Sequence, residues 1–224
     1  IYLSFENSTP AIVDVSGANR DDEGYAVKNF ENSDYLVVGS MTDADGTKNS
    51  LLRYLKANGD NDGNFNGGVP LIINLSSDLG QPDSNKDDEL FAIGGLADSN
   101  FIAFAGGYMT RQTGEKEAVM LAIDKNGELV TSFDTDGIAI YDIDGESGGT
   151  GNGVINGGAQ VTGIQYEPIK NEIMLSGTTG IPIAEHVFTA RVISSTGLLD
   201  DTYGESGVSI LSGIDAKQIV NTSS

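Results

Sequence analysis

The segment LLRYLKANGDNDGNFNGG, Leu51 to Gly68, recurs in altered form twice further along the chain. Its Arg53-Tyr54-Leu55, Gly59 and Phe65 return as Leu121-Ala122-Ile123, Gly127 and Phe133, and again as Arg191-Val192-Ile193, Gly197 and Tyr203. Each aromatic follows its glycine by six positions (65 − 59, 133 − 127, 203 − 197). A second glycine lies twenty positions upstream in every copy: Gly39, Gly107 and Gly177 (59 − 39, 127 − 107, 197 − 177). Two spacings held through three copies mark a repeat with a period of about seventy residues.

Working outward from these anchors, apolar runs of four to eight residues alternate with turn chemistry such as Ser-Gly and Asp-Ala-Asp-Gly, while amphipathic helix periodicity is nearly absent. The expected strands are Ala11–Val15, Tyr25–Phe30, Tyr35–Ser40 and Leu51–Leu55. The same sentence repeats as Val69–Leu75, Leu90–Leu96, Phe101–Gly107 and Ala118–Ile123, then as Ile138–Ile143, Ala159–Tyr166, Glu172–Ser176 and Val187–Ile193. The units run about 10–67, 68–136 and 137–206 within a single repeat domain, flanked by partial strands in 1–9 and 207–224, among them Ile1–Phe5, Val208–Leu211 and Lys217–Val220. Short antiparallel strands in fours predict an all-β chain, a β-propeller or partial propeller with one blade per unit. The repeated glycines serve turns or close backbone approach, and Phe65, Phe133 and Tyr203 plug the seams between blades. Three full units fall short of the four to eight blades that close a ring. A fragment of a longer array is the preferred explanation; association of chains, or a closing blade split between the two ends, are the alternatives.

The sequence of 224 residues is long enough to bury a substantial core. A net charge of −21 opposes nucleic acid and anionic membrane, because binding to phosphates draws on Lys and Arg. The charge suits divalent cations, cationic partners or a salty medium. With no cysteine there is no disulfide and no thiolate chemistry. No apolar run approaches the roughly twenty residues of a membrane-spanning helix.

The repeats resemble the bacterial delta-60 repeat family, whose pattern is a strand ending in glycine, an Arg-containing strand, and a segment G-x-L-D-x-x-F-G-x-x-G. Arg191, Gly197, Leu199, Asp200, Tyr203, Gly204 and Gly207 carry the best match. The middle copy keeps Gly127, Leu129, Phe133 and Gly137, with Leu121 for the Arg and Val130 for the Asp. The first keeps Arg53, Gly59, Asp62, Phe65 and Gly68, with Asn61 for the Leu and one residue fewer before the last glycine. The resemblance implies propeller-like architecture in a secreted, cell-surface or periplasmic bacterial protein, and it carries no catalytic activity.

The sharpest candidate site is a calcium loop at Asn58, Asp60, Asp62 and Asn66, where oxygen-bearing side chains alternate before a glycine. Its competitor is ordinary turn chemistry, since Asn-Gly and Asp-Gly are turn dipeptides and two of the four ligands are neutral. Asp43-Ala-Asp45-Gly46, Asp134-Thr-Asp136-Gly137 and Asp142-Ile-Asp144-Gly145 are shorter echoes that read as turns. His186, the single histidine, rules out a two-His metal site within the chain and reads as a bystander. No carboxylate spacing singles out a glycosidase pair among 33 acids. Gly148 to Gly158 lacks the lysine and following helix of a phosphate loop and reads as a flexible connection. The expected function is a non-catalytic binding or scaffolding module with a protein or glycan ligand and association through its ends. The alternatives are a carbohydrate-active domain using paired Asp/Glu and a calcium-stiffened adhesin spacer.

Overall fold

Wherever the chain between the turn signals is described, it forms strands. The structure is a computed structural model, and it describes residues 20–30, 34–75, 86–95, 103–111, 114–143, 158–167, 169–181 and 184–211. The first sheet contains β1 (Asp22–Asn29), β2 (Tyr35–Thr42), β3 (Lys48–Leu55) and β4 (Leu71–Ile73). The second contains β5 (Glu89–Gly95), β6 (Ala103–Thr110), β7 (Lys116–Ile123) and β8 (Ile138–Tyr141). The third contains β9 (Gly158–Glu167), β10 (Glu172–Ile181), β11 (Ala184–Ile193) and β12 (Val208–Leu211). Each is a four-stranded antiparallel sheet in chain order, and a 3₁₀ turn lies at Asn66–Gly68.

The sheets are phased one strand later than the sequence units. The strands at Leu71–Ile73, Ile138–Tyr141 and Val208–Leu211, read as openings of the next unit, pair instead with β3, β7 and β11 and complete the preceding sheet. The aromatic segment that separates them is a tight excursion, pinned by the bridges Leu55 to Asn61, Ile123 to Leu129 and Val192 to Leu199, so the chain returns to the strand it left. The expected strands at Ile1–Phe5, Ala11–Val15 and Lys217–Val220 lie outside the described residues.

Consecutive sheets stack face to face, with β5 across β1, β2 and β3, and β9 across β5, β6 and β7. The second sheet is therefore apolar on both faces. On β6, Ala103 and Ala105 join the core made with Leu36, Val38 and Leu52, whereas Phe104 joins the core made with Ile173, Leu175 and Phe188. The third sheet keeps a two-residue alternation, with Ile173 and Leu175 buried and Met174 and Ser176 half-buried.

The glycine that lies twenty positions upstream has one structural cause in all three copies. Gly39, Gly107 and Gly177 each face a β-bulge on the preceding strand, between Gly24 and Ala26, between Leu90 and Ala92, and beside Gly163. A Cβ at these positions would lie 1.8, 1.8 and 1.9 Å from the carbonyl oxygens of Glu23, Glu89 and Gln160. The bulge pushes a carbonyl into the space a side chain would fill.

The downstream glycines and aromatics form the seams. Gly59, Gly127 and Gly197 have φ of 87°, 82° and 74°. Phe65 lies against Gly127, and Phe133 lies against Gly197, each aromatic being almost fully buried. The residue after each aromatic is also left-handed, Asn66 at 48° and Asp134 at 44°. Its N–H donates across the seam, from Asn66 to Asn126 O at 2.7 Å and from Asp134 to Thr196 O at 2.9 Å.

Candidate functional site

The calcium candidates lie at the end of β3 opposite its start at Lys48. Asn58 Oδ1 accepts the Asp60 N–H at 3.0 Å, and Asn58 Nδ2 donates to Asp60 Oδ2 at 2.8 Å. Asp62 Oδ1 accepts the Asn64 N–H at 3.2 Å and lies 3.8 Å from Lys56 Nζ. Asn66 turns its amide nitrogen onto Pro70 O at 2.9 Å. These are side-chain-to-backbone turns of the kind Asn and Asp make without a metal. Asp45 and Asp136 do the same, capping Thr47 N–H at 3.0 Å and Ile138 N–H at 2.9 Å. Among the described residues, no three or more His, Asp or Glu side chains gather where they could hold a metal ion. Asp144 and Gly145 of the third echo lie outside the described residues, as does the glycine-rich loop up to Gly157. His186 lies on β11 opposite Thr179, with a buried Nδ1 that has no partner among the described residues.

The repeat arginines have partners in the same excursion. Arg53 Nε donates to Asn61 Oδ1 at 3.0 Å, and Arg191 Nε lies 2.8 Å from Asp200 Oδ2. The middle copy has neither charge, with Leu121 and Val130 in those places.

A cluster that the sequence did not single out lies at the opposite end of the strands, in the first seam. Glu89, at the start of β5, is buried, with its carboxylate facing the first sheet. Tyr108 Oη donates to Glu89 Oε1 at 2.5 Å, while Oε2 receives Lys48 Nζ at 3.2 Å and Ser40 Oγ at 3.3 Å. Tyr25 Oη lies 2.5 Å from Glu89 Oε2 and also against Glu23 Oε2. Its single proton serves one carboxylate at a time. Lys48 Nζ bonds Glu23 Oε2 at 2.6 Å and thereby links the two acids. Lys116 completes the group, with its ammonium 3.6 Å from the centroid of the Tyr108 ring.

The electrostatics follow from burial set against hydrogen bonding. Burial by itself would raise the Glu89 carboxyl, but donors from Tyr108, Tyr25 and Lys48 outweigh it and hold the group below its ordinary range. The Lys48 hydrogen bond holds Glu23 down in the same way. Burial, then the two carboxylates, push the Tyr25 phenol up to about 12. Burial also raises Tyr108, with Glu89 adding to the shift. Burial would lower Lys48, yet its bonds to Glu23 and Glu89 raise it.

Compared with known proteins, the chain matches no family model, no curated protein and no solved structure. The likeness to delta-60 repeats therefore rests on the motif positions themselves.

This cluster gives a pH signature. Glu89 has a depressed folded pKa, so its contribution to stability is present above the ordinary carboxylate range and is lost as pH falls through its folded value. Tyr25 has a raised folded pKa, so its contribution is present below about pH 10 and is lost as pH rises toward about 12. Thermal melting across this range should show the wild type losing Tm on both flanks. Tyr25→Phe should make the alkaline flank shallower without abolishing it, since Tyr108 and Lys48 are raised as well; an alkaline flank of unchanged slope would show that Tyr25 does not contribute to it.

Proposed function

We propose that the chain is a non-catalytic repeat module of propeller type, serving as a binding or scaffolding element of a bacterial secreted or cell-surface protein. The observation that carries the architectural part is the seam: the same backbone bond, left-handed residue and glycine-on-aromatic contact join the first sheet to the second and the second to the third. A unit whose junction repeats in this way extends by stacking, which is how repeat proteins present broad surfaces. The extracellular placement rests on the resemblance to delta-60 repeats.

Glu23 and Glu89 are the two carboxylates that meet at Lys48, and the glycosidase reading calls for paired acids. That chemistry needs one acid kept protonated by a raised pKa while the other is ionised. Here both acids are held low, and Lys48 bonds to each. The arrangement favours a structural latch over an acid–base pair.

Hydrolysis of a panel of chromogenic glycosides by wild type and Glu89→Gln separates the two readings. The module should release no chromophore above buffer, and the variant should differ only in its melting temperature. Turnover by wild type that disappears in Glu89→Gln would overturn the proposal in favour of the enzyme.

A further inference from the structure

The two seams hold equivalent positions with different chemistry. Glu89 and Gln160 correspond, since the carbonyl oxygen of each lies where a Cβ on the facing glycine would fall, at Gly107 and at Gly177. Lys48 and Lys116 correspond too, each beginning the third strand of its sheet. In the first seam the lysine meets a carboxylate, with Lys48 Nζ 3.2 Å from Glu89 Oε2. In the second, an amide holds the acid's place, and a Cβ on Gly158 would lie 2.5 Å from Lys116 Cβ. That seam is closed by interlocked apolar groups: a Cβ on Gly94 would lie 2.6 Å from Ile164 Cγ2, and one on Gly106 2.8 Å from Val161 Cγ1. Acid can remove charge from the first arrangement; the groups that interlock in the second carry none.

The first seam also has two separable ends. At the Lys48 end, Asp88 N–H donates across the seam to Lys48 O at 2.8 Å, and Lys48 N–H donates to Asp87 Oδ1 at 3.0 Å. At the other end, Asn66 N–H donates to Asn126 O at 2.7 Å beside the buried Phe65. The titratable groups that surround Glu89 stand at the first end: Glu23 and Tyr25 from β1, Lys48 from β3, Tyr108 from β6, Lys116 from β7, and Asp87 two residues ahead on the chain. Its carboxylate accepts from both sheets at once, from Tyr108 in its own and from Lys48 and Ser40 across the seam. A neutral carboxyl gives up the charge that Lys48 answers and leaves that ammonium to Glu23 alone.

We infer that the first seam is an acid-sensitive hinge: neutralising Glu89 releases the Lys48 end of the first sheet from the second, while the Asn66 end and the second seam stay closed. The inference rests on the latch reading of Glu89 and adds what the latch releases. Opening exposes Asp88 and Tyr108, both buried in the closed seam. It is a local event in a fold whose other seam holds, the behaviour of a low-stability unit beside a more stable one.

The test is amide hydrogen exchange of the intact chain, read residue by residue as protection factors from about pH 7 to about pH 2, the range in which a carboxylate held low gives up its contribution. Three cross-seam amides report: Asp88 for the latch end, Asn66 for the far end of the same seam, and Asp134, bonded to Thr196 O at 2.9 Å, for the second seam. Asp88 protection should fall roughly tenfold or more below the ordinary carboxylate range, while Asn66 and Asp134 keep theirs within about twofold. Glu89→Gln gives the first seam the residue type of the second and leaves Asp87 and Glu23 in place. It should show the same Asp88 loss at about pH 7. Loss at Asn66 or Asp134 together with Asp88 overturns the inference, as does Asp88 protection retained through the series. A folded Glu89→Gln with Asp88 protected as in wild type also overturns it; should that variant not fold, the wild-type series decides alone. None of these outcomes bears on the repeat-module reading, which Glu89-dependent glycoside turnover would overturn.

Discussion

Phe133→Ala should cost about 3–5 kcal/mol in urea unfolding at low ionic strength, whereas Tyr203→Ala should cost about 1–2 kcal/mol. The two residues hold the same place in consecutive copies, so side-chain type alone does not set the difference. Phe133 is fully buried, 5.5 Å from Phe104 by ring centroids, and a Cβ on Gly197 would come within 3.1 Å of its ring. Truncation leaves a cavity between two sheets whose backbones are pinned on either side by Asp134 N–H to Thr196 O and Tyr141 Oη to Gly197 O at 3.0 Å. Pinned walls collapse poorly, and the cost of a cavity grows with the volume that remains. Tyr203 is half-buried, shares a 2.7 Å hydrogen bond with Thr189 and lies under Arg191, so its loss is met partly by water. Equal costs for the two variants would mean that the second seam is no better packed than the third sheet's own surface.

The parts legible in the sequence were those fixed by local chemistry at constant spacing. Gly59, Gly127 and Gly197 terminate hairpin-like turns within a few residues, and Phe65 and Phe133 follow at a fixed offset, so their recurrence could be read without knowing what they touch. Strand membership was less accessible. Leu71–Ile73 is apolar whichever neighbour it pairs with, and only the hydrogen bonds of Ser50, Leu51 and Leu52 assign it to the first sheet. The Glu89 cluster was hidden for a related reason. Its partners Tyr25, Ser40 and Lys48 lie 64, 49 and 41 residues away, brought together by stacking rather than by periodicity. One trace was present: Lys48 and Lys116 each precede their turn glycine by eleven positions (59 − 48, 127 − 116). The acids keep no such interval, since Glu23 precedes Gly39 by sixteen residues and Glu89 precedes Gly107 by eighteen.

Gly107→Ala is expected to destabilise the fold by about 3 kcal/mol or more, although alanine suits a strand backbone better than glycine does. The added Cβ would lie 1.8 Å from Glu89 O and 2.8 Å from Leu90 Cα, so relief requires movement of the β5 backbone and cannot come from a side-chain rotation. That movement reaches further than the bulge. Glu89 begins β5 and holds Lys48, Ser40 and Tyr25 of the neighbouring sheet through its carboxylate, so displacing its backbone loosens the first seam as well. Gly46→Ala supplies the control. Gly46 has φ 91° and nothing within 4 Å of an added Cβ, so its cost is left-handed backbone strain alone, about 1–2 kcal/mol. Chemical denaturation of the two variants would decide the matter. Should Gly107→Ala prove no worse than Gly46→Ala, the bulge carbonyl is free to move, and the recurrence of glycine at 39, 107 and 177 would need a cause other than steric exclusion.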